Sequence, residues 1–244
     1  MSTQLLFYRQ AIPVSQEKHA SFSIDTRQDY SFASQVNSVP LTATEFPSAA
    51  RDYVIVFAGK ETPMPAAILG AQQDQNVFVS EDGRWEGRYI PAFVRRYPFV
   101  FSSNDDNSRF TLCIDQEFQG LNQDDRGEKL FDENGEKTSY LDKMLSFLSE
   151  YQTQYQRTQL FCEKLKELDL LEPMQAHITL PTGSQMSLTG FQVINRDRLK
   201  ALDGDKLAEL ARTDALELAY LHLYSLNNFS VMVERAGKNS TRNN

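Results

Sequence analysis

The sequence is poor in the residues that build disulfide frameworks and metal centres. Its 244 residues include two cysteines, three histidines and one tryptophan. Cys113 and Cys162 are too few for a disulfide framework and lack CxxC spacing, so we interpret them as buried free thiols in a reducing compartment. The histidines lie far apart in the chain, in no spacing that recruits zinc or iron on one element. The sequence therefore predicts no metal site.

Positive charge is also scarce. Lys and Arg number 25 against 33 Asp and Glu, and the formal net charge is −8. Because phosphate neutralisation needs a basic face, this balance argues against general nucleic-acid binding and against anionic membrane surfaces. No apolar run approaches the roughly 18 to 20 residues of a membrane helix, and the N-terminus has no secretory-signal pattern. We therefore expect no membrane insertion and a cytoplasmic location.

Motifs for nucleotides, calcium and nucleophilic catalysis are missing too. The glycines form neither a GxGxxG nor a Walker pattern, and no GxSxG elbow occurs. The acidic stretch after Leu130 fails as an EF-hand loop because Leu130 occupies the first ligand position. We predict no cofactor, and the catalytic residues stay unassigned. An enzyme remains an alternative if folding brings Cys113 and Asp115 together with His177 or His222.

What the chain does contain is a concentration of aromatic and arginine residues at positions 85–99 (WEGRYIPAFVRRYPF). Guanidinium groups bind carboxylate and phosphate through paired hydrogen bonds, and aromatic rings stack on planar or extended ligands. The segment predicts a surface for an anionic small molecule or a protein partner. The candidate ligand-binding residues are Trp85, Arg88, Tyr89, Arg95, Arg96 and Tyr97. The alternative is that these arginines pair with internal carboxylates while the rings fill the core.

Strand signals dominate the first half of the chain. The β-branched and aromatic run at residues 53–57 predicts a central strand buried on both faces. A short apolar run predicts a first strand at residues 5–8. An Asp-Gly pair predicts a tight turn between strands at residues 76–79 and 84–89. Prolines on either side predict a helix of about two turns at residues 91–97.

Helical signals follow. Apolar residues recur with helical periodicity near residues 139–168, which predicts one long helix that Pro173 ends. A β-hairpin with a bend at Gly190 and a helical C-terminus come next. The fold class is α+β, with a mixed or antiparallel sheet in the N-terminal half. We expect a single domain over residues 1–237 and a disordered tail at 238–244.

The sequence as a whole resembles the SapC-like family of bacterial proteins, which is named after a surface-layer-associated member. The resemblance spans nearly the full chain. It is carried by residues 37–41 (NSVPL), 45–47 (EFP), 53–57 (YVIVF), 87–99 (GRYIPAFVRRYPF), 112–115 (LCID), 130–135 (LFDENG), 171–174 (LEPM) and 223–229 (LYSLNNF).

The resemblance implies a protein of unassigned biochemical activity, and it supplies no catalytic residues. Genes of the family often neighbour flavin-dependent halogenase-like and cupin-like genes, which implies an accessory role. Together with the residues, this predicts an accessory or binding protein that holds an anionic ligand or partner on the aromatic-arginine surface. The family label implies a further alternative, a surface-layer component or assembly factor. The sequence gives no oligomeric state.

Overall fold

The protein has an α+β fold in which helices and antiparallel sheets both contribute, as a computed structural model shows. The structure describes residues 6–27, 29–103, 110–179, 183 and 185–242, with backbone alone at 186 and 238–242. The strands are β1 (Ala11–Pro13), β2 (Ser23–Ile24), β3 (Ser38–Pro40), β4 (Val54–Ala58), β5 (Met64–Ile68), β6 (Phe99–Ser103), β7 (Phe110–Asp115), β8 (Leu121–Asn122), β9 (Glu128–Lys129), β10 (Leu171–Thr179) and β11 (Gln185–Ile194). The α-helices are α1 (Gln16–His19), α2 (Phe46–Ala49), α3 (Ala92–Arg95), α4 (Ser139–Glu167), α5 (Arg196–Lys200), α6 (Gly204–Arg212), α7 (Ala215–Ser225) and α8 (Asn228–Arg242).

The contacts within the chain divide it into two compact units. The first consists of Met1–Asp29 and Val94–Gln152, and the second of Tyr30–Phe93 and Thr153–Asn244. Each unit is therefore built from two separate stretches of sequence. The single-domain organisation expected for residues 1–237 stays a prediction.

The first unit contains two small antiparallel sheets. One has the strand order β1-β7-β6 and the other the order β8-β2-β9. Their apolar side chains pack with the beginning of α4 into a core whose buried members are Ile24, Phe99, Ile114, Leu130, Phe131, Leu141 and Leu148. Removing this much apolar surface from water is the main source of the unit's stability.

The second unit is built on a five-stranded antiparallel sheet with the order β10-β11-β4-β5-β3. The run predicted as a central strand becomes β4, the third of the five, and Val54, Ile55, Val56 and Phe57 are all buried. Burial on both faces explains why this strand reads as a continuous apolar run rather than an alternating one. The prediction of a central strand is confirmed.

Helix α7 packs on this sheet where β4 and β11 are joined through two residue pairs. Each of these two strands has a backbone N–H group that donates to a side chain of α7. His222 Nε2 accepts from the Ile194 N–H at 3.0 Å, and Ser225 Oγ accepts from the Ile55 N–H at 3.0 Å. Ser225 Oγ in turn donates to the His222 carbonyl at 2.6 Å. Buried polar groups of α7 thus satisfy strand donors that would otherwise be left without a partner.

The long helix, the hairpin and the helical C-terminus are confirmed, with changes in detail. α4 ends before Asp169, which takes a left-handed φ of 52°, while Pro173 lies inside β10. The hairpin register shifts beside Gly190, whose φ of 85° fits the predicted bend. α8 continues through Arg242, so residues 238–242 have helical backbone where a disordered tail was expected.

Three predicted strands in the first half are wrong. Of residues 5–8, residue 5 lies outside the described part of the chain, and residues 6–8 form a turn before β1. Their apolar character serves ring packing instead, because Tyr8 is buried against the ring of Tyr97. In place of strands at 76–79 and 84–89, one bridge pairs Val79 with Trp85. The expected two-turn helix at 91–97 is the single turn α3.

Candidate functional site

A tight turn precedes the aromatic-arginine stretch, and the stretch begins with an extended segment, residues 85–89, which we call the Arg88 segment. The predicted turn forms at Ser80–Gly83, where Gly83 has a φ of 77° and its N–H donates to the Ser80 carbonyl at 2.9 Å. Beyond the turn, exposure alternates along the chain. The exposed residues are Arg84, Glu86 and Arg88, and the half-buried ones are Trp85, Gly87 and Tyr89. This is the alternation expected of an extended chain with one face on the protein.

The inner side of the Arg88 segment rests on Tyr53. Trp85 Nε1 donates to Tyr53 Oη at 2.8 Å and to the Tyr89 carbonyl at 3.2 Å, and Tyr53 Oη donates to the same carbonyl. Burial raises the pKa of the Tyr53 phenol, which therefore stays protonated and able to donate. The backbone of Gly87 passes close to the Tyr53 hydroxyl and the Trp85 indole. A Cβ at this position would lie 2.8 Å from Trp85 Nε1 and closer still to Tyr53 Oη.

Two carboxylates fix the backbone of the same segment. Asp52 Oδ2 accepts from the N–H groups of Arg88 at 2.6 Å and Tyr89 at 3.1 Å. Glu45 is buried, and its Oε1 accepts from the Tyr89 hydroxyl at 2.9 Å and from the Ala92 N–H at 2.7 Å. These bonds explain why no strand ladder continues here, since Asp52 takes the backbone donors that a neighbouring strand would have used.

The outer side of the segment carries charge. Arg84 pairs with Asp82 at 2.7 Å, and Glu86 pairs with Arg235 of α8 at 3.4 Å. The Arg235 guanidinium also lies 4.8 Å from the ring centroid of Phe78. Arg88 is exposed, and within the described part of the chain its guanidinium takes part in no ion pair. The segment thus presents one arginine to solvent on an anchored backbone.

The other three candidate ligand-binding residues belong to the first unit, so the structure divides the predicted six into two groups of three. Arg96 is buried, with 7% of its surface exposed, and its guanidinium lies over the rings of Tyr8 at 5.7 Å and Tyr151 at 5.2 Å. Arg95 is exposed and lies 5.2 Å over the ring of Phe147. Stacking of this kind is a normal way for arginine to pack on aromatic surface.

Tyr97 contributes to a buried carboxylate site. Its hydroxyl donates to Asp115 Oδ2 at 3.1 Å, and Asp115 also accepts from the N–H groups of Arg9 at 3.0 Å and Gln10 at 2.9 Å. Burial, followed by the charge of Asp115, raises the pKa of the Tyr97 phenol. Asp115 is fully buried and attaches the N-terminal segment to the end of β7. These contacts give Asp115 a structural role in the first unit.

The residues weighed for catalysis are likewise divided between the units. Cys113 and Asp115 lie in the first, and His177 and His222 in the second. Burial raises the pKa of the Cys113 thiol, so the thiol stays protonated near neutral pH and is a weak nucleophile. Burial lowers the pKa of His222 to about 3, which keeps its imidazole neutral as it accepts from the Ile194 N–H. In the described parts of the chain, no cluster of three or more His, Cys, Asp and Glu residues could hold a metal ion.

A cavity of about 420 Å³ lies beside the β10–β11 hairpin. Its walls include His177 and Ser187, which face each other across the two strands, and His177 Nδ1 is 2.9 Å from Ser187 Oγ. Gln175 Nε2 donates to the same hydroxyl at 3.3 Å. Sequence analysis missed this cross-strand pair, although the hairpin register, once known, places the two residues opposite each other.

The site also depends on residues that no motif signals. Asp52, Glu45 and Tyr53 support the Arg88 segment from 32 to 44 residues away in sequence, and Arg235 reaches it from 149 residues away. A single sequence gives no pairing information over such separations. The one signal in the sequence is the alternation of charged and uncharged residues at positions 84–89, which matches the alternation of exposed and half-buried side chains in the structure.

The fold described above is that of an α+β protein made of antiparallel sheets with a helical C-terminal region. A family model named SapC matches residues 14–232, which is most of the chain. The protein therefore belongs to the SapC family. No curated protein and no solved structure gives a significant match. Among the described residues, no helix has both the length and the apolar character needed to cross a bilayer.

Proposed function

We propose that this SapC-family protein is an accessory or binding protein of the cytoplasm that holds an anionic ligand on the Arg88 segment. The ligand is a small molecule bearing carboxylate or phosphate, or the acidic segment of a protein partner. The observation that carries the proposal is the exposed guanidinium of Arg88 on a backbone fixed by Asp52, Glu45 and Tyr53. Because the backbone is already fixed, binding an anion through two parallel hydrogen bonds has to order the Arg88 side chain alone.

The geometry of the catalytic candidates favours this binding role over the enzyme alternative. Asp115 is occupied by backbone N–H groups and the Tyr97 hydroxyl, and the Cys113 thiol is protonated near neutral pH. Each of these groups thus has a structural explanation, whereas the exposed Arg88 guanidinium has none. The surface-layer alternative is tested separately by cell fractionation, in which our proposal expects the protein in the soluble cytoplasmic fraction.

The test uses the intrinsic fluorescence of Trp85, the one tryptophan in the chain, which lies in the Arg88 segment itself. The protein is titrated with citrate, inorganic phosphate and a polyglutamate peptide, and binding is measured by both fluorescence and thermal shift. We expect at least one of the three probes to bind. Arg88→Ala should weaken that binding about ten- to a hundredfold, as expected for the loss of a charged hydrogen-bonding group.

Arg84→Ala is the matched control. Arg84 is exposed on the same side of the chain but is already paired with Asp82. Its loss should change the affinity by less than threefold, and both variants should melt within a few degrees of the wild type. Arg95→Ala tests the exposed arginine of the first unit in the same assay. Equal affinities of wild type and Arg88→Ala, or no binding of any probe by folded protein, would overturn the proposal.

A further inference from the structure

Glu86, a residue of the Arg88 segment itself, can compete with an anionic ligand for the Arg88 guanidinium. Glu86 is exposed two residues before Arg88, and the two side chains alternate in the same sense along the extended chain. Residues two apart in such a chain have Cα atoms at most about 7 Å apart, so a carboxylate and a guanidinium at these positions can reach each other. A free Glu86 carboxylate would therefore occupy the guanidinium that the ligand needs.

Glu86 is instead paired with Arg235 of helix α8. Arg235 Nη1 lies 3.4 Å from Glu86 Oε2, and Arg235 Nη2 donates to the Glu86 carbonyl at 3.4 Å. The guanidinium is steadied by the ring of Phe78, 4.8 Å away, and 29% of the Arg235 side chain is exposed. Arg235 thus contacts both the side chain and the backbone of Glu86, which is more than a fully solvated surface pair provides.

The same helix is attached to the support of the segment. Asn228 Nδ2 donates to the carbonyls of Ala50 at 2.8 Å and Tyr53 at 2.9 Å. Met232, one turn further along α8, is buried. These contacts fix the position of α8 against Ala50 and Tyr53, and the Tyr53 phenol supports the Arg88 segment. They therefore determine where the Arg235 guanidinium lies.

We propose that Arg235 is a positioning residue that keeps the Glu86 carboxylate away from Arg88 and so leaves Arg88 open to an anion. This inference rests on the proposed function of the Arg88 segment. It assigns Arg235 no contact with the ligand. Loss of Arg235 is expected to release Glu86 towards Arg88 and to weaken anion binding about two- to fivefold, the range expected when one exposed ion pair replaces another.

The test is a double-mutant cycle on the affinity measured by Trp85 fluorescence, with the probe that binds wild type most tightly among citrate, inorganic phosphate and polyglutamate. The variants are Arg235→Ala, Glu86→Gln and the two combined. If Arg235 acts through Glu86, Arg235→Ala weakens binding in the wild-type background and has no effect when residue 86 is Gln. Arg235→Lys, which keeps the charge, should restore part of the affinity.

Each outcome separates this inference from the proposed function. Equal weakening by Arg235→Ala in both backgrounds would mean that Arg235 acts as a simple charge or through stability, and the inference would be wrong. No weakening by Arg235→Ala, with Arg88→Ala still impaired, would also overturn it while leaving the proposed function intact. Melting temperatures of all variants, measured without ligand, identify any that fail to fold. A wild type that binds none of the probes would reject the proposed function and, with it, the inference.

Discussion

Gly87 shows how closely one residue of the Arg88 segment approaches its support. A Cβ at this position would lie 2.8 Å from Trp85 Nε1 and nearer to the Tyr53 hydroxyl. Neither group can easily withdraw, because each is hydrogen-bonded to the other and to the Tyr89 carbonyl. The requirement for glycine here comes from close packing and not from an unusual backbone angle.

We therefore expect Gly87→Ala to lower the free energy of unfolding by about 1 to 3 kcal/mol, the usual cost of overpacking. The emission maximum of Trp85 should shift as the bond to Tyr53 is strained. Gly204→Ala is the control, since a Cβ at Gly204 meets no atom within 4 Å. Urea unfolding of the three proteins checks the prediction, and equal stability of Gly87→Ala and wild type would contradict it.

His222 is the residue for which acid has a calculable effect. Burial lowers its pKa to about 3 in the folded protein, against an ordinary value of 6.5. Below pH 6.5 the unfolded chain binds a proton at this residue while the folded chain does not, so acid favours unfolding. The stability contribution of the neutral imidazole is complete above pH 6.5 and is lost as the pH falls towards 3, at about 1.4 kcal/mol per pH unit.

The corresponding variant is His222→Gln. Its stability cost relative to wild type should be largest at pH 7 and should shrink by up to about 1.4 kcal/mol for each pH unit between pH 6 and 4. Urea unfolding of wild type and variant at several pH values measures this cost. A cost for His222→Gln that does not vary with pH would show that another group dominates acid unfolding.

At the scale of elements, the helical C-terminus was predicted correctly, and one local backbone conformation divides it. A break at Thr213 and Asp214 separates α6 from α7, and Asp214 has a left-handed φ of 59°. Aspartate tolerates this conformation better than most residues, and glycine adopts it freely. The residue ends one helix and begins the next without making a side-chain cap bond.

Asp214→Gly is accordingly expected to leave stability unchanged or to raise it by up to about 1 kcal/mol, because it relieves the left-handed strain. The comparison is Glu217→Gly, in the first turn of α7, where glycine should cost about 1 kcal/mol through backbone entropy. Thermal and urea unfolding of both variants decide the matter. A destabilising Asp214→Gly would mean that the aspartate side chain contributes more than its backbone conformation costs.

Elements defined by distant contacts were harder to predict. The run at residues 53–57 was predicted as a central strand because burial on both faces leaves a continuous apolar pattern. Phe7 and Tyr8 belong to a similar apolar run but pack their rings against Tyr97 beside a turn, and only the positions of Tyr97 and Asp115 reveal this. Pattern alone cannot separate these two uses of an apolar run, since both remove the same surface from water.

The candidate site was predictable to a similar extent as these elements. Features that depend on neighbouring residues could be recognised from the sequence, and features that depend on distant residues could not. Local composition identified Trp85, Arg88 and Tyr89 as residues of one segment, and in the structure Arg88 is exposed while Trp85 and Tyr89 are half-buried. The burial of Arg96 depends on rings at Tyr8 and Tyr151, both far away in sequence. An adjacent pair of arginines therefore separates into one exposed and one buried side chain for reasons that the pair itself does not contain.

At the scale of the whole molecule, the net charge of −8 limits which partners can approach. Long polyanions such as duplex DNA and heparin, which need a broad basic face, are repelled at long range, and a single exposed arginine that can hold one anionic group or a short acidic segment does not supply that face. We expect the protein to pass through a heparin column and to leave duplex DNA unshifted at pH 7.5, both at 0.15 M salt and at 0.02 M. Retention at 0.15 M salt would reveal a basic face and would contradict the prediction.

The hydrogen bonds from β4 and β11 to side chains of α7 also affect how local unfolding of the protein can be followed. The amide protons of Ile55 and Ile194 are held by side chains of a helix and not by a neighbouring strand. Their hydrogen-deuterium exchange is therefore governed by departure of α7 and does not require the strands to separate. These two amides would serve as probes of that helix alone, and any exchange faster than that of the neighbouring strand amides would mark α7 as the first part of the second unit to open.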